Sequence, residues 1–129
     1  MNPDDIKYHR EHTWVRVEGN MATIGITDYA QQQLGDIVYV ELPETETEID
    51  ADSELSEIES TKATSPMVSP VSGTVVEVND DLADTPEIIN EDPYGNGWLI
   101  VLEMTDPTEL NDLMSKAEYE KFLKEEEEK

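Results

Sequence analysis

The sequence predicts a mainly β fold, a flattened barrel or sandwich with short helices, two of them at the C-terminal end. Three observations lead there. Short apolar runs rich in valine and isoleucine recur between turn residues. A seven-residue layout occurs twice: Gly35-Asp-Ile-Val-Tyr-Val-Glu41 and Gly73-Thr-Val-Val-Glu-Val-Asn79. Each copy precedes an acidic, turn-rich stretch and a further apolar run, at Leu55 and Ile58 in the first and at Ile88 and Ile89 in the second. Two similar half-sheets in one small chain suggest a duplicated β-unit that closes on itself. Chance similarity between two valine-rich strands is the competing explanation.

The elements follow in order. Residues 1–12 are polar and irregular. Residues 14–17 and 21–26, joined by Glu18-Gly19-Asn20, read as a hairpin. Thr27 caps a short helix over 28–34, and Gly35 stops it. Residues 35–41 form a strand that ends before Pro43. The segment 90–97, Asn-Glu-Asp-Pro-Tyr-Gly-Asn-Gly, is a loop dense in turn residues, and 98–102 make a last strand. Asp106-Pro107-Thr108-Glu109 is a helix start with a capping aspartate and proline at the first position. Ser115-Lys-Ala-Glu118 repeats the capping-box pattern, so a second helix begins there and buries Tyr119 and Phe122. Residues 125–129 are expected to be an acidic frayed tail.

The 129 residues suffice for one domain, 1–129, with a core over about 8–124. Hydrophobic residues at 36% place the chain above the disordered class. No apolar run is long enough for a membrane span, and Met-Asn-Pro-Asp-Asp is no signal peptide, so a cytoplasmic location is expected. Cysteine is absent, so sulfur chemistry must come from a cofactor. Thirty-two acids against 8 bases, a formal charge of -24, argue against nucleic acid and anionic membrane as partners. A solvated surface suited to salt and a surface for docking basic partners both remain, and the even spread of acids favours the first.

Between Arg16 and Lys116 the one cationic side chain is Lys62. Pro66 and Pro70 oppose a helix after it, so a hairpin with Lys62 near its tip fits best. The small neighbours Ser60, Thr61, Ala63 and Thr64 leave its amine open to an enzyme. An ordinary lysine neutralising Glu57 and Glu59 is the bland alternative, and such surface pairs contribute little. A Schiff-base lysine needs a desolvated pocket, which this polar segment does not suggest. Covalent attachment of a carrier group needs an exposed lysine on a rigid turn, as here. His9 and His12 are candidate metal ligands, but two histidines without spaced partners read better as loop or core residues.

Glu59-Ser-Thr-Lys-Ala63, Ser69-Pro-Val-Ser-Gly73 and Glu77-Val-Asn79 resemble the H proteins of the glycine cleavage system. So do 15–19, 24–31, 35–43 and 90–100, and the match runs in one register from 8 to 122. Biotin carriers set their lysine between methionines, and lipoyl domains of dehydrogenase complexes use Asp-Lys-Ala. Glu-Ser-x-Lys-Ala points to the H-protein branch. The resemblance implies a hybrid barrel-sandwich domain of the lipoyl/biotinyl type, a carrier and no enzyme, with lipoate as an amide on Lys62. Glu59, Ser60 and Ala63 would be read by the lipoylating enzyme, a lipoate ligase or a lipoyl/octanoyl transferase. The arm would take an aminomethyl group from a glycine decarboxylase to an aminomethyltransferase, and dihydrolipoamide dehydrogenase would reoxidise it. A carrier that visits several partners is expected to be a monomer.

Two departures from the family pattern concern the cleft that shelters the loaded arm. The family's acids before Trp14 and four residues after the lysine are here Thr13 and Pro66. Their loss weakens a charge-assisted hold on an amine, unless Glu11, beside His12, substitutes. Glycines usual in 44–53 are replaced, giving Glu46 and Asp52, and Val68 stands where tyrosine is frequent. These features keep open an H-like lipoate-binding protein that carries sulfur among heterodisulfide-reductase-like enzymes of cytoplasmic sulfur oxidation. An unlipoylated interaction protein is a more distant reading.

Overall fold

The computed structural model of the chain describes residues 6–127. In chain order the elements are β1 (Lys7–Tyr8), β2 (Thr13–Glu18), β3 (Met21–Ile26), α1 (Asp28–Leu34), β4 (Ile37–Glu41), β5 (Glu48–Ile49) and β6 (Glu54–Ser60). Then come β7 (Thr64–Val68), β8 (Gly73–Val78), α2 (Asp81–Asp84), α3 (Ile88–Glu91), β9 (Ile100–Met104), a 3-10 helix (Pro107–Asp112) and α4 (Lys116–Glu127). The strands form a six-stranded sheet, β1-β2-β3-β9-β8-β5, and a three-stranded sheet, β4-β6-β7. All the pairings are antiparallel. The mainly β expectation holds.

Both sheets feed one core. Val15, Ile24, Ile26, Val75, Ile100 and Leu102 from the larger sheet meet Ile37, Val40, Leu55, Ile58 and Met67 from the smaller. A second cluster holds α4 against β1 and β2. Tyr8 and Tyr119 stack there with centroids 4.6 Å apart, beside the buried Trp14. Each such buried aromatic ring contributes about 2–3 kcal/mol. Backbone bonds between Tyr8 and Met114, 2.9 and 2.8 Å, fix where α4 enters. The phenol of Tyr94 accepts the Asp28 N–H at 2.9 Å, and burial pushes its pKa up to about 12, so it stays neutral at ordinary pH.

The repeated layout is visible in three dimensions. Its copies are β4 and β8, in different sheets, and each pairs with a later strand, β4 with β6 and β8 with β9. In both pairs the register shifts across the fourth position of the layout, between Ile37 and Tyr39 and between Val75 and Glu77. The residue at that position, Val38 or Val76, turns outward in each copy, 54% and 43% exposed. The two copies thus share an irregularity at the same position of the layout.

The local signals hold where their chemistry is local. The Thr27 hydroxyl accepts the Ala30 N–H at 3.2 Å, and Gly35 ends α1 with φ 82°. The capping box closes both ways: Glu118 accepts the Ser115 N–H at 3.0 Å, and the Ser115 hydroxyl accepts the Glu118 N–H at 3.3 Å. The Ser115 N–H, and after it the nearby Ser115 hydroxyl, hold the exposed Glu118 carboxyl below its ordinary pKa. Tyr119 is fully buried and Phe122 half-buried.

Five expectations need correction. Ile88 and Ile89 lie in the helical turn α3, not in a strand. The strand that completes the second unit is β9, starting two residues later than the run from Trp98 suggested. The helix capped by Asp106 is a 3-10 helix. Residues expected to be irregular contain β1, and α4 extends through Glu127, into the expected tail. Residues 1–5 and 128–129 of those segments lie outside the described residues.

Strand edges are short or interrupted. The outer strands of the larger sheet, β1 and β5, have two residues each. In the smaller sheet β4 carries the register shift and β7 carries Pro66.

Glu46 and Asp52, which stand where the H-protein pattern favours glycine, adopt left-handed backbone with φ 72° and 67°. A side chain there costs roughly 1 kcal/mol. Asp52 bonds His9, but exposed Glu46 makes no side-chain hydrogen bond among the described residues. Glu46→Gly is therefore expected to raise stability by about 1 kcal/mol, read by thermal and urea melts. A lower midpoint would sink the strain account.

Candidate functional site

The β6–β7 hairpin turns through Thr61 and Lys62, both exposed. Neither residue takes the left-handed backbone that two-residue hairpin loops prefer. A serine closes the turn instead. The Ser60 hydroxyl donates to the Ala63 carbonyl at 3.1 Å and accepts the N–H groups of Lys62 and Ala63 at 3.2 Å each. The Ser60 N–H also donates to the Ala63 carbonyl, at 2.8 Å. The tip leans on the turn after α1, where the Thr61 N–H donates to the Asp36 carbonyl at 3.0 Å. The Lys62 stem passes over Gly35, and a methyl group built there would meet Cε at 3.3 Å.

Lys62 forms no ion pair with Glu57 or Glu59. Glu59 is exposed, between Tyr39 on β4 and Thr64 on β7. The lysine is thus held by its backbone, while its stem lies over Gly35.

Next to the tip is a cleft of about 200 Å³. Glu11, His12 and Pro66 line it with Tyr29, Leu34 and Met67. Leu34 directly precedes Gly35, and Met67 lies on the strand that leaves the lysyl turn. Glu11 is the one carboxylate among the lining residues. Larger hollows of about 460 and 650 Å³ do not involve the tip: one is beside His9 and Glu109, the other beside Tyr39 and Ala83.

Thr13 is not on the lining, which corrects its place in the cleft. It is fully buried, and its hydroxyl donates to the Val68 carbonyl at 2.9 Å, tying β2 to β7. His12 reaches the cleft through left-handed backbone, φ 69°. Its Nδ1 shares a 2.8 Å hydrogen bond with the Tyr119 hydroxyl, which lies 2.8 Å from the Thr27 hydroxyl. The His12 ring sits 4.6 Å from that of Tyr29. The cleft wall is thereby wired to α4 and to the cap of α1. Tyr29, Leu34 and Met67 were missed in the sequence; the capped helix ending at Gly35 was the one signal that could have pointed to two of them.

His9 serves structure. Its Nδ1 accepts the Glu11 N–H at 3.0 Å, which places the ring proton on Nε2, facing Asp52 Oδ1 at 2.6 Å. Among the described residues no group of three His, Asp or Glu side chains is placed to hold a metal ion. No described helix is long and apolar enough to cross a membrane.

An exposed lysine raised on a backbone-tied turn beside a small cleft is the build of a swinging-arm carrier. A family model described as Glycine cleavage H-protein matches residues 6–126, and the chain belongs to that family. It is 59% identical to glycine cleavage system H protein 4 of Aquifex aeolicus over 94% of this chain and 71% of that one. Against the glycine cleavage system H protein of Carboxydothermus hydrogenoformans it is 52% identical, covering 96% of this chain and 95% of the other. A crystal structure of a glycine cleavage system H protein from Mycobacterium marinum superposes with a TM-score of 0.84 at 37% identity, covering 92% of this chain and 95% of that one. Family members hold lipoate covalently on a lysine and are carriers, not catalysts. This chain is accordingly a lipoyl carrier. These relatives give no support to the sulfur-oxidation alternative.

Proposed function

We propose that Lys62 is the residue joined to lipoate, and that the loaded chain serves glycine cleavage by moving an aminomethyl group from a glycine decarboxylase to an aminomethyltransferase. The observation that carries this reading is Lys62 itself: exposed, without an ion pair among the described residues, and beside a cleft whose lining has one carboxylate, Glu11. When bound, lipoate supplies the pair of sulfur atoms that this cysteine-free chain lacks.

The chain's own residues do the rest. Ser60 sets the turn, and small Ala63 keeps the approach open for a lipoate ligase or a lipoyl or octanoyl transferase. Glu59 offers that enzyme an exposed acid. Leu34 and Met67 give the cleft apolar lining, and Glu11 supplies a charge-assisted partner for a cationic amine. Glu11 thus takes the part that Thr13 and Pro66 cannot. Dihydrolipoamide dehydrogenase completes the partner set. The working unit is one carrier domain, residues 1–129, monomeric and cytoplasmic.

The test incubates the lipoylated protein with a glycine decarboxylase, pyridoxal phosphate and carbon-labelled glycine. Label recovered on the Lys62 peptide is the expected result. No label there, with loading from a persulfide donor instead, would reverse the pathway in favour of sulfur transfer.

A further inference from the structure

We propose that Asn90, on α3, is a positioning residue for the attachment lysine: it fixes the Gly35–Asp36 turn, and that turn carries the tip of the lysyl hairpin. The inference rests on Lys62 as the lipoylated residue. Asn90 touches neither Thr61 nor Lys62; it acts through the shelf beneath them.

The geometry is specific. Asn90 Nδ2 donates to the Gly35 carbonyl at 2.8 Å and to Gln31 Oε1 at 2.9 Å. Its Oδ1 accepts the Ile37 N–H at 2.9 Å. One amide therefore bonds the end of α1, the turn and the start of β4, with both its N–H groups in use. Gln31 is itself steadied, since its Nε2 donates to Asp28 Oδ1 at 2.7 Å.

The turn needs that clamp. Gly35 has φ 82° and ψ -152°, a region essentially confined to glycine, and glycine resists being held in one conformation. From this turn the Asp36 carbonyl receives the Thr61 N–H at 3.0 Å, and the Gly35 face carries the Lys62 stem. A loosened shelf spreads the hairpin tip over many poses. A modifying enzyme that accepts one of them then binds more weakly, in proportion to the fraction that is competent.

The test uses the full unmodified chain, a purified lipoate ligase, and mass spectrometry to locate and time the adduct. Asn90→Ala is expected to raise the ligase KM for this protein about tenfold with kcat within about twofold, the signature of a depopulated competent pose. Amide exchange at Thr61 and Ile37 is expected to quicken in the same variant, before any enzyme is added. Asn90→Asp is isosteric, keeps the acceptor for Ile37 and loses the donors, so it should raise KM at least as much.

Asn79→Ala is the control for mere loss of stability. Asn79 is a second amide clamp, itself buried, donating to the Asn96 and Trp98 carbonyls at 2.8 Å each, away from the lysyl turn. It should leave KM within about twofold of the parent. An unchanged KM and unchanged Thr61 exchange in both Asn90 variants overturns the proposal. So does an equal rise in KM for Asn79→Ala. Failure of the underlying reading looks different: the parent protein would then carry its adduct on a residue other than Lys62.

Discussion

Lys62→Arg is expected to abolish lipoyl attachment, and with it any loading from glycine, while the fold is kept. Arginine preserves the positive charge and most of the stem, but its guanidinium stays protonated and offers no free amine to acylate. The turn does not depend on the side chain, because Lys62 enters it through its N–H to Ser60. A melting midpoint equal to the parent's within the usual range for surface changes, about 0.5 kcal/mol, is therefore expected. Intact mass after co-expression with a ligase reads the outcome. A full lipoyl adduct on Lys62→Arg would remove Lys62 from the mechanism.

Gly25→Ala should be the most damaging single methyl group in the framework. Gly25 on β3 lies directly across from Trp14 on β2. A Cβ at Gly25 would meet indole carbons Cε2 and Cζ2 at 2.7 Å and Nε1 at 2.9 Å. The indole cannot step aside freely. It is fully buried, its N–H donates to the Pro93 carbonyl at 3.0 Å, and the Arg16 guanidinium sits 5.0 Å over its ring. Overpacking combined with a lost buried hydrogen bond should cost about 3 kcal/mol. For a chain of this length that is a fall in melting temperature of about 10 °C. The clash account also predicts coupling. Trp14→Leu, harmful alone, should cost much less when Gly25→Ala is already present. Strict additivity of the two changes would show that the glycine is required for another reason.

Legibility followed the range of the forces. Thr27, Gly35, Ser115 and Glu118 act on backbone groups three or four residues away, so their helix ends could be read from adjacent letters. Lys62 was legible because the surrounding cations are missing, and its hairpin because prolines forbid the alternative. Ile88 and Ile89 misled because two adjacent isoleucines satisfy a strand and a helical turn alike. The core took Ile89 fully and Ile88 partly from a turn. β1 is too short to show alternation, and only its pairing with β2 and Met114 makes it a strand. The cleft draws on the segment before β2, on α1 and on β7, so its membership depends on tertiary contact. Thr13 illustrates the limit. Neighbouring His12 in the chain did not place it on the cleft, because the strand begins at Thr13 and turns its hydroxyl toward Val68.

The interrupted rims of the two sheets bear on how concentrated such a carrier can become. A long flat rim of free backbone amides is a template on which a second copy can add, and then a third, as in amyloid. Here a copy arriving at β1 or β5 finds two residues to pair with, at β7 a missing amide donor, and at β4 a break in register. With a charge of -24 on every copy, self-templated polymerisation is opposed both by geometry and by repulsion. Neither rim nor charge favours strand-by-strand addition of one copy to the next.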